Sequence, residues 1–428
     1  MKKTLRWMKL DNAAKIYPAA RRRYWTNVFR LSVIFKEEVD AEVLKKALDR
    51  VVKRFPSVAA RLRAGFFWYY IEELAEAPEV LSEELYPLNR MTFRDIKKCA
   101  FRVLYYKKRM SVEIFHSITD GNGGLVFVKT LAAEYVRLRY GEDVPCTDGI
   151  LDINEEPREE ELEDSFGRYV SDVSPGWKEP DAYAISGTPE DDSFMHVVSG
   201  MMDSEEIRRL SKEYGVTVTT FLAAVMMKSI YEIQNEKVKN KKKRKHVRVL
   251  IPVNLRAFFP SKTMRNFAQY ITPDIDPKLG EFSFEDMIKA IHHKMGLDLN
   301  SKHLSAKFTS NVRSEQIKLL RIMPLFIKNI AMKIVYSAVG EKKASICMSN
   351  LGVVTLPDEM TRHIDRVDFV LGVQATSPVN CGILSYNGKL TVNFVRSIKE
   401  SELERRFFTT LRKMGVNVYI ESNGNGLN

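Results

Sequence analysis

The chain of 428 residues contains little of what would mark a secreted, metal-binding or membrane-spanning protein. Its four cysteines are widely scattered and show no Cys-x-x-Cys spacing, which argues against both a disulfide framework and a zinc site. No segment approaches the ~18 consecutive apolar residues of a membrane helix. The basic N-terminus also lacks the apolar core of a signal peptide. These absences predict a cytoplasmic protein with no metal site and no membrane span.

Positive charge is the property that the chain has in excess, because its formal net charge is +12 at pH 7. Much of this charge lies in residues 235–246, which include the basic run 241–245. Such a run could bind nucleic acid, but it lacks the interleaved aromatic residues of a single-strand binding platform. We therefore favour a solvated loop and expect no nucleic-acid partner. A phosphorylated cosubstrate or an acidic carrier protein would also suit the general positive field.

Helix and strand patterns alternate along the chain and predict a mixed α/β fold of the α+β type. Hydrophobic residues make up 45% of the chain, which is enough for a sizeable core. Residues 154–192 begin with an acidic stretch that is poor in aromatics, and they predict an exposed linker. This linker separates an N-terminal unit, residues 1–153, from a C-terminal unit, residues 193–428. Two such units favour a cleft between them.

The most informative pattern is a strand that ends in a histidine and turns into a helix. The strand-like run Arg109–Phe115 is followed by His116, and then by Asp120 and Gly121 at a glycine-rich turn. A histidine at a strand end is held by the sheet, and its unperturbed pKa of about 6.5 lets the neutral ring take a proton. The alternative is an ordinary half-buried histidine with a turn-forming or helix-capping aspartate, because His-x-x-x-Asp often occurs by chance.

Residues 115–121, Phe-His-Ser-Ile-Thr-Asp-Gly, resemble the His-His-x-x-x-Asp-Gly signature of the chloramphenicol acetyltransferase-like superfamily. This superfamily includes alcohol O-acyltransferases, polyketide-associated acyltransferases, wax-ester synthases, plant acyl-CoA acyltransferases and peptide condensation domains. Three further segments resemble its members in the expected order. They are the helix-like residues 40–56, Pro252-Val-Asn-Leu-Arg256 and Ser349-Asn-Leu-Gly352.

The resemblance implies a fold of two subdomains, each a mixed sheet flanked by helices, with a tunnel at their interface. It also implies an acyltransferase that moves an acyl group from a pantetheine thioester, in the first place acyl-CoA, to an alcohol. An amine is the second choice of acceptor. In this interpretation His116 is the general base, no covalent acyl-enzyme forms, and acyl-CoA or acyl-pantetheine is a cosubstrate rather than a bound cofactor.

The resemblance assigns the remaining site residues mainly to positioning. Asp120 is expected to pair with Arg256 and so to fix the loop, while Gly121 and the two glycines at 123 and 124 let the backbone pass close to substrate. For the glycines at 123 and 124, a turn without substrate contact is an equal alternative. Asn350 is a candidate donor to the oxyanion, and its alternative is a turn-forming asparagine before Gly352.

Two rival functions stay open at this stage. The first is condensation on an acyl carrier protein, for which the basic surface would dock an acidic helix. Phe115 in place of the first signature histidine weakens this rival, since condensation domains usually carry both. The second is a non-catalytic basic binding protein built on residues 241–245, which predicts binding that falls steeply with salt. The sequence names neither the acceptor nor the acyl chain length nor the oligomeric state.

Overall fold

A computed structural model describes residues 5–20, 27–83, 86–173, 179–191, 194–315, 322–335, 343–373 and 377–424. Within these residues, the strands in chain order are β1 (Trp7–Lys9), β2 (Val28–Phe35), β3 (Ala60–Ala64), β4 (Tyr69–Glu73), β5 (Val80–Ser82), β6 (Phe101–Tyr106), β7 (Arg109–Phe115), β8 (His196–Asp203), β9 (Val247–Asn254), β10 (Ala268–Ile271), β11 (Asp274–Ile275), β12 (Ile346–Val354), β13 (Ile364–Leu371), β14 (Val379–Tyr386), β15 (Lys389–Arg396) and β16 (Tyr419–Ser422). The helices are α1 (Ile16–Ala20), α2 (Ala41–Val51), α3 (Phe93–Ile96), α4 (Gly121–Tyr140), α5 (Glu159–Leu162), α6 (Ser204–Glu213), α7 (Val218–Lys237), α8 (Phe284–Asp298), α9 (Ser301–Glu315), α10 (Leu325–Val335), α11 (Asp358–Thr361) and α12 (Glu402–Lys413).

The N-terminal subdomain is built on a mixed sheet with the strand order β13-β2-β7-β6-β5 in the described part of the chain. The pairs β13–β2, β2–β7 and β7–β6 are antiparallel, whereas the pair β6–β5 is parallel. Strands β6 and β7 form a hairpin, with Lys107 in the turn at φ 48°. A small antiparallel sheet of β1, β4 and β3, which the sequence patterns did not indicate as a separate sheet, lies beside it.

The C-terminal subdomain contains a larger mixed sheet, in which the described strands follow the order β10-β9-β12-β14-β15-β8-β16 and β11 pairs with β9. Strand β12 pairs parallel with both β9 and β14, whereas the other pairs are antiparallel. Helix α7 is almost entirely buried against this sheet. The two sheets flanked by helices confirm the predicted fold class, while the tunnel between the subdomains stays a prediction.

The predicted division of the chain differs from the structure at one strand. Strand β13 was assigned with residues 193–428 to the C-terminal unit, but it pairs with β2 and forms the edge of the N-terminal sheet. Sequence patterns identified this segment as a strand and could not show its partner, because strand pairing depends on long-range contacts. The C-terminal chain therefore ties the two subdomains together.

The linker predicted at residues 154–192 is exposed only in part, and its residues 174–178 and 192 lie outside the described ones. Glu161 forms a buried two-fold ion pair with Arg54, with Nη1–Oε2 and Nη2–Oε1 distances of 2.5 and 2.8 Å. Phe166 is also buried, among the aromatic rings of Phe267 and Phe308. The expectation of an exposed segment was wrong here because acidic composition says nothing about a specific arginine partner.

Helices α2 and α4 pack against each other on one face of the N-terminal sheet. Asp40 caps α2 through the backbone N–H groups of Glu42 and Val43, and the helix buries the apolar stripe that the sequence predicts. Helix α4 begins after Asp120, within the glycine-rich turn that the sequence predicts, and ends at Gly141, which adopts a left-handed conformation with φ 72°. This helix begins at the glycine-rich turn after His116 and runs for 20 residues.

No single helix among the described residues has the length and apolarity to cross a membrane, although the sharply bent pair α6 and α7 passes that test when the two are taken together. The basic residues Lys241–Lys243 form an exposed 3-10 turn, which Asn240 caps through the backbone N–H of Lys242.

Candidate active site

His116 lies directly after strand β7, where the sequence predicts it. Its backbone N–H donates to the carbonyl of Asn27 at 2.8 Å, which extends the pairing of β7 with β2 by one residue. The imidazole stacks on Tyr17 with ring centroids 4.7 Å apart, and Phe29 meets it edge-on at 5.1 Å. The backbone and the two aromatic rings together hold the imidazole in one place.

The preceding residue, Phe115, is fully buried in the N-terminal core. Where the His-His-x-x-x-Asp-Gly signature has its first histidine, this chain therefore has a phenylalanine that packs in the core. Successive side chains along a strand point to opposite faces of the sheet. Phe29 and His116 therefore lie together on the face that packs against α4. The structure thus brings the histidine to the N-terminus of α4, at the boundary of the two subdomains.

The protonation of His116 follows from its burial. Loss of solvent lowers the pKa of the imidazole below its usual value, and its own backbone, Asp120 and Asn266 oppose this effect without reversing it. Nδ1 lies 3.0 Å from Asn266 Oδ1. The ring is therefore neutral at neutral pH, which is the form that a general base requires.

Asp120 connects helix α4 to the second subdomain. Its Oδ1 accepts hydrogen bonds from the backbone N–H groups of Asn122 and Gly123, at 3.1 and 3.0 Å. Its Oδ2 accepts from Arg256 Nη1 at 2.8 Å and from the backbone N–H of Phe267 at 2.9 Å. Burial would raise the pKa of Asp120, but Arg256 and the backbone donors outweigh it and lower the pKa. The expected ion pair is thus present, with an ionised aspartate in a buried position.

Arg256 organises the segment 263–267, which follows it in the chain. Its Nε and Nη2 donate to the carbonyl of Thr263 at 3.0 and 2.8 Å, and Nη2 also donates to the carbonyl of Arg265 at 2.6 Å. This segment carries Asn266, the residue that contacts His116. The ion pair between Asp120 and Arg256 therefore fixes the surroundings of the histidine from the second subdomain.

Two glycines of the turn differ in how tightly the protein packs around them. A Cβ on Gly123 would stand 2.2 Å from Thr119 Oγ1 and 2.3 Å from the carbonyl oxygen of Met264, so no side chain fits there. A Cβ on Gly121 would meet only the end of the Leu351 side chain, at 2.8 Å. The structure thus supports the packing alternative for Gly123, and a close approach of Gly121 to substrate stays a prediction.

Asn350 lies on strand β12, which comes close to the N-terminus of α4 through the adjacent Leu351. Its Nδ2 donates to Thr219 Oγ1 at 3.0 Å, and its Oδ1 accepts from the backbone N–H of Gly352 at 2.8 Å. Gly352 has φ 78° and lies within β12, where the register of this strand against β14 shifts. Asn350 thus supports a local irregularity of the strand, while its role as an oxyanion donor stays a prediction.

Sequence reasoning missed the residues that hold His116: Tyr17, Phe29 and Asn266 contact the imidazole, and Asp11 contacts Asn266. Asn266 contacts the imidazole and also donates Nδ2 to Asp11 Oδ2 at 3.2 Å. Each comes from a segment remote from the motif and matches no spacing that indicates chemistry. The two polar residues Arg265 and Asn266, which lie between β9 and β10, were the only signal that this sequence offered.

The cysteines are free thiols. Burial raises the pKa of Cys99 and of Cys347 to about 12, and that of Cys381 well above its usual value. A buried thiol that stays protonated is a poor nucleophile. Among the described residues, no group of three or more potential metal ligands lies together.

Comparisons with known proteins agree with this geometry. A family model described as alcohol acetyltransferase matches residues 171–371. No curated protein sequence matches the chain. The family match supports acyl transfer as the class of reaction.

Solved structures extend the similarity to nearly the whole chain. The chain is 14% identical to polyketide synthase associated protein 5 from Mycobacterium tuberculosis, with a TM-score of 0.59 and coverage of 94% of this chain and 96% of that one. It is 12% identical to F. sporotrichioides TRI101 complexed with coenzyme A and T-2, with a TM-score of 0.64 and coverage of 98% and 100%. The first condensation domain of the calcium-dependent antibiotic synthetase gives 12% identity, a TM-score of 0.58 and the same coverage.

The chain has the two-subdomain fold that these acetyltransferases and condensation domains share. The resemblance to the chloramphenicol acetyltransferase-like superfamily, first inferred from short motifs, is therefore confirmed.

Proposed function

We propose that the protein transfers an acyl group from acyl-CoA to an alcohol, with His116 as the general base and without an acyl-enzyme. The observation that carries the proposal is a neutral imidazole held by Tyr17, Phe29 and Asn266 at the boundary of the subdomains. A fixed, uncharged base is what deprotonation of an alcohol requires. The coenzyme A in the related TRI101 structure supports the choice of donor.

The reaction balances with the residues of this chain. His116 takes the proton of the acceptor hydroxyl while its oxygen attacks the thioester carbonyl, and a C–O bond forms. The tetrahedral intermediate carries its negative charge on the former carbonyl oxygen, where the Asn350 amide is proposed to donate. When the C–S bond breaks, the imidazolium returns its proton to the thiolate. The products are the ester and the free thiol.

Asp120 and Arg256 have a positioning role in this mechanism. Both are engaged by hydrogen bonds within the protein, so neither needs to contact substrate. Their ion pair holds the turn after His116 against the segment 263–267. An amine acceptor would use the same steps and is the second choice.

A carrier-protein thioester is the second candidate donor. The similarity to condensation domains favours it, since their TM-scores and coverage approach those of the acetyltransferases. The buried Phe115 in place of the first signature histidine argues for the simpler acyl-CoA reaction.

The test is release of free thiol from acetyl-CoA and longer acyl-CoAs, with and without a panel of alcohols and amines. His116→Ala is compared with His363→Ala. His363 is a matched control because it also stacks on a tyrosine, Tyr140, with centroids 3.8 Å apart. Acceptor-dependent release that is lost only in His116→Ala is the expected result.

Two outcomes would contradict the proposal. Equal activity of His116→Ala and wild type would remove His116 as the base. Release that occurs with a loaded carrier protein, but with no acyl-CoA, would replace the donor and favour condensation.

A further inference from the structure

Asp11 is a fully buried acid next to the proposed site, and the mechanism above does not use it. Its two oxygens have different partners. Oδ1 accepts from the backbone N–H of Ala14 at 2.7 Å and so supports a local 3-10 turn. Oδ2 accepts from both the backbone N–H and the side-chain Nδ2 of Asn266, at 3.3 and 3.2 Å. One oxygen is thus structural, and the other faces the residue that contacts His116.

The charge of Asp11 decides the orientation of the Asn266 amide. An ionised carboxylate only accepts hydrogen bonds, so the amide must turn its NH₂ toward Asp11. Its carbonyl oxygen then faces His116 Nδ1, which lies 3.0 Å away. A carbonyl oxygen only accepts, so Nδ1 must carry the hydrogen. The imidazole also hydrogen-bonds with the backbone of His116 itself.

We propose that Asp11 acts through Asn266 as a positioning residue that keeps the proton of His116 on Nδ1 and the lone pair on Nε2. The role in catalysis rests on the proposed function, in which Nε2 takes the proton of the acceptor. The tautomer itself does not depend on it. Two buried residues from remote segments, connected by hydrogen bonds of 3.0 and 3.2 Å, carry this inference.

The charged groups around Asp11 are consistent with an ionised carboxylate at neutral pH. Arg265 Nη2 lies 3.8 Å from Oδ2, and Arg265 in turn donates to the carbonyl of Leu162 at 3.2 Å. Asp164 is the nearby acid whose charge opposes ionisation. Burial raises the pKa of Asp11 to about 6, against the opposing charge of Arg265. Above about pH 6 the carboxylate is therefore ionised and orients the amide, and below that pH the constraint weakens.

The experiment is NMR of protein labelled with ¹⁵N-histidine at pH 7.5, in which the two ring nitrogens report their protonation separately. His116→Gln identifies the His116 signals. Wild type is expected to show a protonated Nδ1 and an unprotonated Nε2. Asn266→Ala and Asp11→Asn are each expected to shift the proton toward Nε2. Asn380→Ala is the matched control, because Asn380 is equally buried and uses both atoms of its amide, but its partners are the backbone groups of Cys347 and Gly372.

Kinetics provide the second measurement. Asn266→Ala and Asp11→Asn are expected to lower kcat roughly 10- to 100-fold, as outer partners of a functional histidine do, with a smaller change in KM. Asn380→Ala is expected to leave kcat within about two-fold. If Asp11→Asn does not fold, Asn266→Ala alone still tests the tautomer.

The NMR and kinetic results together test whether Asp11 and Asn266 set the tautomer of His116. Protonation of Nε2 in wild type would overturn the proposal. An unchanged tautomer in both variants would also overturn it, because the backbone carbonyl of His116 would then suffice. A tautomer that shifts as expected, in a protein that releases thiol from no donor, would support the positioning role and contradict the proposed acyl transfer.

Discussion

The two ends of helix α4 carry a similar set of residues and use it differently. At each end a histidine stacks on a tyrosine: His116 on Tyr17 near the N-terminus, and His363 on Tyr140 at the C-terminus. The imidazole partner is an amide oxygen in the first case. In the second case it is the carboxylate of Glu142, with an Nε2–Oε1 distance of 3.0 Å.

The difference shows how the acid at each end is used. At the N-terminus, the ionised Asp120 is engaged by Arg256 and backbone donors, so it does not pair with the imidazole. At the C-terminus, Glu142 contacts the imidazole directly. An uncharged partner fixes the ring but stabilises the imidazolium less than a carboxylate would, so the ring stays neutral and able to take a proton. The following predictions test this contrast, from the largest expected effect to the smallest.

His116→Ala is expected to lower kcat/KM by about 10²- to 10⁴-fold, which is the usual contribution of a general base. At the other end of α4, His363→Ala should leave kcat/KM within a few-fold of the wild-type value. Steady-state kinetics with the best donor and acceptor measure both. Thermal unfolding should show that His116→Ala keeps its fold, and a much earlier melting than wild type would contradict the role assigned to it.

Asp120→Ala is expected to lower the free energy of unfolding by roughly 3–5 kcal/mol, because it leaves Arg256 without its buried partner. Glu142→Ala should cost about 1 kcal/mol or less, since its ion pairs are nearer the surface. Urea unfolding of both variants measures the contrast. If both variants lost the same free energy of unfolding, the buried Asp120–Arg256 pair would contribute no more to stability than the ion pairs of Glu142.

Asn350→Ala is expected to lower kcat about 10²- to 10³-fold with little change in KM, if its amide stabilises the oxyanion. Thr219→Val is the control, because it removes only the hydroxyl that accepts from Asn350. A loss of stability without a loss of kcat would leave Asn350 with the turn-forming role alone.

The pH dependence follows from the burial of His116, which lowers its pKa below about 6.5. A base acts when deprotonated, so kcat/KM should be flat above pH 6.5 and fall only at lower pH. The free energy of unfolding should also fall at low pH. As pH falls through 6.5, His116 takes up a proton in the unfolded state before it does so in the folded state, which favours unfolding. A rate that declines already between pH 8 and 7 would contradict a depressed pKa.

The smallest effect is expected at Gly141, which ends α4 with φ 72° and has free space around its Cβ position. Gly141→Ala should cost about 1–2 kcal/mol through the left-handed backbone alone. Chemical denaturation measures this cost, with the rate of thiol release expected to stay unchanged. A large loss of activity would show that the C-terminal end of α4 influences the site.

The local elements around the site could be predicted from the sequence. Strand β7 and its hairpin partner follow from alternating apolar residues, and the cap at Asp120 follows from the glycines after it. The pairing of Asp120 with Arg256 was expected from the resemblance of this chain to the acyltransferase superfamily, and no sequence spacing predicted it. The strand β13 was visible as a strand, whereas its place in the N-terminal sheet was not.

The sequence by itself determined the class of fold, the position of His116 and the turn that follows it, because these depend on local periodicity, capping and backbone freedom. Only the tertiary structure decided which acceptor faces the imidazole and which buried acid orients that acceptor. Asn266 contacts His116, and Asp11 contacts Asn266, from segments far apart in the chain. Such contacts arise when remote segments pack together, and no local pattern encodes them.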